Sequence, residues 1–215
     1  MKKYKRMSGL LAGLLLLLGG LTGCAQSLVK GDPPQYTGLG QYQNLDQGSG
    51  FSVSLGGASK PNPNVPVIAK AYAIDKGIYG STLKIYLEGD DPNGDMAKIA
   101  TTVTQVGYGY YPSDFVMLKP QHRKHFRGYL QWNTFSSRAA FLDDGTRVTV
   151  RVAVIDKAGN TSNELEFPFT FETGVAPSPS PPSPFDQGDL PKLGNVFIDL
   201  FNPRFMGGGG GGEFR

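Results

Sequence analysis

The chain has 215 residues, with 21 Lys and Arg against 18 Asp and Glu, 30 Gly, 16 Pro and a single Cys. Four of the basic residues (Lys2, Lys3, Lys5, Arg6) stand at the amino end, and from residue 24 onward 17 basic face 18 acidic residues, a formal charge of −1. The alkaline character is therefore local and gives no charge argument for a nucleic-acid partner, while one thiol excludes an internal disulfide framework.

The basic start runs into an uncharged stretch whose apolar part is Leu10 to Leu21, and Leu21-Thr22-Gly23-Cys24 follows. A charged start, an apolar middle and small residues at the end mark a secretory signal, with an apolar part short for a transmembrane helix. On these residues alone, an ordinary secretory signal and an uncleaved anchor are the alternatives. Leu21-Thr22-Gly23-Cys24 resembles the lipobox of bacterial lipoproteins at every position. The resemblance implies that residues 1–23 are a lipoprotein signal peptide, cut before Cys24. It implies also a diacylglycerol on the Cys24 sulfur and an acyl chain such as palmitate on the new amino group, with no other cofactor. One acyl chain holds a protein weakly to a bilayer, at roughly 0.8 kcal/mol per buried methylene, and two or more hold it stably. The expected location is the exported side of a bacterial cell membrane. Ala25 provides no Asp-type inner-membrane retention signal, so in a bacterium with two membranes the resemblance implies the outer one. A sulfur spent on a thioether is lost to metal binding or nucleophilic catalysis.

Residues 24–62 are rich in Gly, Gln, Asn, Pro and Ser and read as a lipidated flexible tether. A coil of about 38 residues would place its ends on the order of 35 Å apart. Within it Gly50-Phe51-Ser52-Val53-Ser54-Leu55 alternates apolar and polar, which leaves a short strand open as an alternative.

From Val65 to Glu172 the apolar period is two. Leu83, Ile85 and Leu87 share a face, as do Ile99, Thr101 and Val103, then Phe126, Gly128, Leu130 and Trp132. Val148, Val150, Val152 and Val154 follow, and Leu165, Phe167, Phe169 and Phe171 close the series. Such alternation predicts strands with one buried face. Turn signals separate them at Gly89–Asp95, Asp143–Thr146 and Asp156–Asn163. About seven short strands in roughly 110 residues predict an all-β chain, a single antiparallel β-sandwich over 63–173 with flexible arms. Pro168 points to a sheet edge, because it cannot donate to a ladder.

The stretch from Leu142 to Ser162, with Asp143-Asp144-Gly145-Thr146 and Asp156-Lys157-Ala158-Gly159-Asn160 around the valine run, resembles the penultimate hairpin of bacterial immunoglobulin-like modules. These include PKD-like and fibronectin type III-like domains. Asp90-Asp91-Pro92-Asn93-Gly94-Asp95 is similar to the loop between their second and third strands. The resemblance covers residues 65–172 and specifies an architecture rather than a ligand. The disulfide and partnered Trp of antibody domains are absent, and Trp132 lies in a later strand.

Residues 174–188 form a Pro/Ser spacer, and the whole of 174–215, ending near Gly207–Gly212, is expected to be disordered. Leu193, Phe197, Leu200 and Phe201 would share one face of a helix. A short lone helix is marginal in water, which favours disorder or folding back onto the sandwich over a docking peptide.

No Gly-x-Ser-x-Gly elbow, His-Glu-x-x-His, phosphate loop or dinucleotide fingerprint occurs, and no catalytic residue is assigned. The basic run Lys119, His122, Arg123, Lys124 and Arg127 is a candidate contact for an anionic glycan; the bland alternative is a solvated loop. His122 and His125 flank two cations, which opposes metal binding there. Asp91, Asn93 and Asp95 place oxygens at alternate positions as calcium loops do, without the downstream bidentate Glu. The family's strand order would bring Asp156 and Asn160, and the basic run, to the same end. Hydrogen-bonded turns explain these residues without a metal.

Two functional classes follow. One is a non-catalytic cell-envelope lipoprotein that displays an Ig-like binding or structural module on a tether. Its contacts would be the bilayer and an envelope protein or anionic glycan, with no nucleic acid. The alternative is an enzyme or enzyme accessory acting on cell-wall or surface glycan.

Overall fold

A computed structural model describes residues 41–44, 51–54, 64–175 and 179–205. Cys24, the leader and most of the proposed tether lie outside the described residues. The period-two runs form the strands their spacing predicts. In chain order the strands are β1 (Gln41–Asn44), β2 (Phe51–Ser54), β3 (Val67–Ala73), β4 (Lys76–Gly77), β5 (Thr82–Asp90) and β6 (Met96–Gln105). There follow β7 (Gly109–Tyr110), β8 (Asp114–Met117), β9 (His125–Asn133), β10 (Thr146–Asp156), β11 (Leu165–Phe171) and β12 (Lys192–Val196). The helical content of the described residues is two short 3-10 turns, Pro120–His122 and Pro203–Phe205.

Two six-stranded sheets result, the first in the order β1-β2-β3-β5-β9-β12 and the second β4-β11-β10-β6-β7 with β8 also on β6. Alternation decides what lies between them. Leu83, Ile85, Leu87, Phe126, Leu130 and Trp132 of the first sheet are buried in one cluster with Ile99, Val103, Phe167, Phe169, Phe171 and the four valines of β10. Burying each large apolar side chain contributes about 1.5–3 kcal/mol. This is the all-β sandwich that the sequence pattern predicts.

Three features depart from the expected plan. The sheets are mixed, since β12 runs parallel to β9 and β4 parallel to β11, whereas the other pairs are antiparallel. The strands outnumber the expected seven: β3 to β11 lie within residues 63–173, and β1 and β2 lie within the stretch read as a tether. There β2 pairs with β3, Phe51 opposite Ala73 and Val53 opposite Ala71, so the open strand alternative is the one adopted. The third departure is β12 itself, which lies in the arm expected to be disordered.

The segment around β12 is extended, so Leu193, Phe197, Leu200 and Phe201 do not share a helical face. Leu193, Val196, Ile198 and Leu200 enter the core, while Phe197 is 79% exposed. Several specific bonds hold the segment. The indole N–H of Trp132 donates to the Ile198 carbonyl at 3.0 Å, and the Phe197 amide donates to Asp114 Oδ2 at 2.7 Å. The Phe201 amide donates to the Tyr111 hydroxyl at 2.8 Å, and the Phe201 carbonyl accepts from Gln105 Nε2 at 2.8 Å. The Phe201 ring stacks on Tyr108 with centroids 4.9 Å apart. Burial pushes the Tyr111 phenol up to about 12, so its hydroxyl stays protonated and donates to the Gln105 carbonyl oxygen.

Glycines admit this strand. At Gly128 a Cβ would lie 2.4 Å from the Pro191 carbonyl and 2.9 Å from Leu193 Cγ, and at Gly194 one would lie 2.2 Å from Val116. The gap that Gly128 leaves in the apolar series of β9 is the space into which the returning chain fits. Pro168 also finds its reason in the ladder. Thr170 and Glu172 send their amides outward to Asp75 and Gly77, and two residues earlier in the same direction β11 has no strand beside it among the described residues.

Gly128→Ala is expected to lower stability by about 1–3 kcal/mol through overpacking and to loosen β12 first. Thermal unfolding and limited proteolysis between residues 174 and 191 check this. A variant that melts and is cleaved like the native protein would show that the close approach is not required.

Candidate functional site

Two surfaces gather polar and titratable side chains. The first is one end of the sandwich, where the acidic β5–β6 loop, the basic β8–β9 segment and the β10–β11 turn meet. The Asp91 amide donates to the Lys124 carbonyl at 2.9 Å, Met96 to Arg123 at 3.1 Å and Lys157 to Asp95 at 3.1 Å. The five basic candidates do not form one free patch. Arg127 lies in β9, its Nε 2.7 Å from the Glu88 carboxylate, and the stem of Lys124 lies over Gly94. Lys119 and Lys124 are exposed and His122 and Arg123 half-buried. Burial and then the Lys119 charge hold His122 below its ordinary pKa of 6.5, so it adds little positive charge at neutral pH. His125 Nδ1 sits 2.7 Å from Asp90 Oδ1.

The carboxylates of that end serve turn geometry. Asp91 Oδ2 accepts the Asp95 amide at 2.9 Å. Asp156 accepts the Asn160 amide on Oδ1 at 2.8 Å and its side-chain nitrogen on Oδ2 at 2.7 Å. Asn93 stands exposed at the turn tip. Among the described residues no group of three or more His, Cys, Asp or Glu is arranged to hold a metal ion. The Oδ1 atoms of Asp91 and Asp95 are buried without a partner. Desolvation first, then contact with the Asp91 carboxyl and the charges of Asp156 and Asp91, raises the Asp95 pKa, against the opposing charge of Lys157.

The second surface is the outer face of the first sheet. Because Leu83, Ile85, Leu130 and Trp132 point inward, their neighbours must point out. Cross-strand register then sets Tyr72, Tyr86 and Tyr129 in one row, Lys84 and Gln131 in the next with Asn195, and Thr82 with Asn133 beyond. Tyr86 lies 5.8 Å from Tyr129 and 5.7 Å from Phe185, ring centroid to centroid. The Lys84 ammonium lies over the Tyr129 ring at 4.7 Å. Where β9 and β12 end, Gln131, Asn133, Asn195 and Asp199 surround a cleft of about 400 Å³ flanked by Phe135 and Phe197. A second cleft of about 340 Å³ opens over Tyr86 and Tyr129, beneath Phe185 and residues 186–190.

The acidic and basic loops stand out in the sequence as charged runs, and the structure brings them together. The outer face does not stand out in that way. Its signal is the identity of the alternate residues in β9, where Tyr129, Gln131 and Asn133 replace the charged residues or Thr of an ordinary solvated strand. Asn195 and Phe197 carry no such signal, since nothing local places them in a strand. No known protein-family model matches this chain, and comparison with curated proteins returns no match.

The Asp95 shift sets a sign. An unfolded carboxyl ionises near 3.8 and the folded one at higher pH, so the folded state holds the extra proton between those values. Stability is then lost as pH rises through that window. Asp95→Asn is expected to raise the melting temperature at pH 7 and to leave it unchanged below pH 3.8. A fall at pH 7 would show that the carboxylate is favourably held there.

Proposed function

We propose that this chain is a non-catalytic bacterial cell-envelope lipoprotein whose sandwich is a binding module tied to the bilayer through Cys24. The observation that carries the reading is Leu21-Thr22-Gly23-Cys24 placed directly after a basic and apolar leader. The anchor is a diacylglycerol thioether with an added N-acyl chain, enough to hold a domain at a membrane. The exported side of the membrane is the location, the outer membrane where there are two. Tethering raises the effective concentration of the module near the envelope, so individually weak contacts suffice. The outer face of the first sheet supports a binding role, because Asn133 and Asn195 are exposed there and Tyr86, Tyr129 and Gln131 half-exposed, whereas Tyr72 is buried. The basic segment 119–127 offers Lys119 and Lys124 to an anionic partner, although Arg127 is held by Glu88.

Growth with radiolabelled palmitate tests the anchor. The native chain is expected to be labelled and to fractionate with membranes. Cys24→Ser is expected to take up no label and to migrate as the longer, unprocessed form. Label retained by that variant, or none on the native chain, would overturn the assignment.

A further inference from the structure

The cleft between the ends of β9 and β12 has a lining of one chemical kind. Gln131, Asn133 and Asn195 are neutral amides, each with donors and an acceptor, and Asp199 adds an acceptor at the rim. Among the described residues the side chains of Gln131, Asn195 and Asp199 make no hydrogen bond, and the cleft lining includes no cation. Two aromatic rings flank this polar floor, Phe135 at 56% and Phe197 at 79% exposure. The Phe135 amide donates to Asn133 Oδ1 at 3.1 Å and its ring lies 6.2 Å from Tyr79. The backbone of Phe197 is fixed by Asp114. A backbone held at both rings lowers part of the ordering cost of binding.

Such a lining suits a ligand with many hydroxyls, no net charge and an apolar ring face. The amides exchange hydrogen bonds with vicinal hydroxyls, and the electron-rich faces of Phe attract the C–H edges of the ring. An anion would meet Asp199 in the cleft lining, while the nearest ammonium in the row, Lys84 opposite Gln131, is turned over the Tyr129 ring. An added peptide strand would find β9 already paired on both sides, by β5 and β12. The volume falls within the roughly 300–1,000 Å³ of small-ligand sites. We propose that this cleft binds a neutral glycan, with Asn195 and Gln131 on its hydroxyls and Phe197 against a sugar face. The cleft over Tyr86 and Tyr129 lies two residues further along β5 and β9, roughly 7 Å away, and continues the path for an oligosaccharide. The inference rests on the binding-module reading above and names its ligand class.

The test uses the full chain, extracted from membranes in mild detergent and titrated calorimetrically. The probes are neutral hexasaccharides of α-glucan, β-glucan, chitin and mannan type, with polygalacturonate as the anionic arm. At least one neutral hexasaccharide is expected to bind, and Phe197→Ala and Asn195→Ala are each expected to weaken it at least tenfold. Both side chains are exposed, so melting temperatures should be unchanged. Phe115→Ala, on an exposed ring of the second sheet, should keep full affinity. Binding that survives both cleft variants, or no binding of any neutral probe, overturns the proposal. In the second case, crosslinking in intact cells separates the two readings. A captured envelope protein, or affinity for polygalacturonate alone, leaves the module reading standing and removes the glycan cleft. Neither capture nor affinity of any kind removes both.

Discussion

The sandwich depends on an alliance between residues far apart in the chain, Trp132 in β9 and the carbonyl of Ile198, 66 residues later. Trp132 is 1% exposed, and a buried indole N–H left without an acceptor would carry a desolvation penalty of about 1–3 kcal/mol. The returning segment removes that penalty and covers the open side of β9 with Leu193, Val196, Ile198 and Leu200. It belongs to the first sheet by hydrogen bonding and touches the second through Val116 and Asp114. One short strand thus ties both layers together. Strand geometry does the rest. Once Val196 and Ile198 point inward, Asn195, Phe197 and Asp199 must face out beside Gln131 and Asn133. Core packing and the outer cleft are two sides of the same five residues.

Periodicity reveals which face of a strand is buried, and in this chain it did so well. The valines of β10 and the Leu-Phe-Phe-Phe series of β11 occupy the core that their alternation requires. What periodicity does not encode is the partner. Leu193 to Leu200 is a short stretch interrupted by a glycine and preceded by Pro and Ser, so its local signal is weak. Its partner lies in β9, and only the tertiary fold supplies the acceptors and the groove. Gly128 was the local trace of that partnership. In the alternation it reads as a missing apolar residue, and in the fold it is the contact point for Pro191 and Leu193. At the amino end, Phe51 and Val53 carried a two-residue alternation too brief to decide between strand and tether.

The charged loops show a related gap between pattern and arrangement. Their residue types suggest ligands for ions, yet at one end of the sandwich they bond one another and the backbone, with Asp91 and Asp95 each keeping one buried Oδ1 without a partner. Asp156 holds Asn160, Glu88 holds Arg127, and Asp90 faces His125. Burial then works against ionisation at Asp95, which sits among other carboxylates. Tight turns at that end fix where β5, β6, β9 and β10 begin or stop. By contrast, among the described residues the side chains of Gln131 and Asn195 on the outer face make no hydrogen bond, which is why a quieter stretch of sequence holds the more available chemistry.

The parallel strand that seals β9 also has a temporal meaning. Ribosomes deliver polypeptide amino end first, so every other strand of the sandwich is out before its final wedge arrives. Until then the indole N–H of Trp132 lacks its Ile198 acceptor and the groove at Gly128 lacks the chain that fills it.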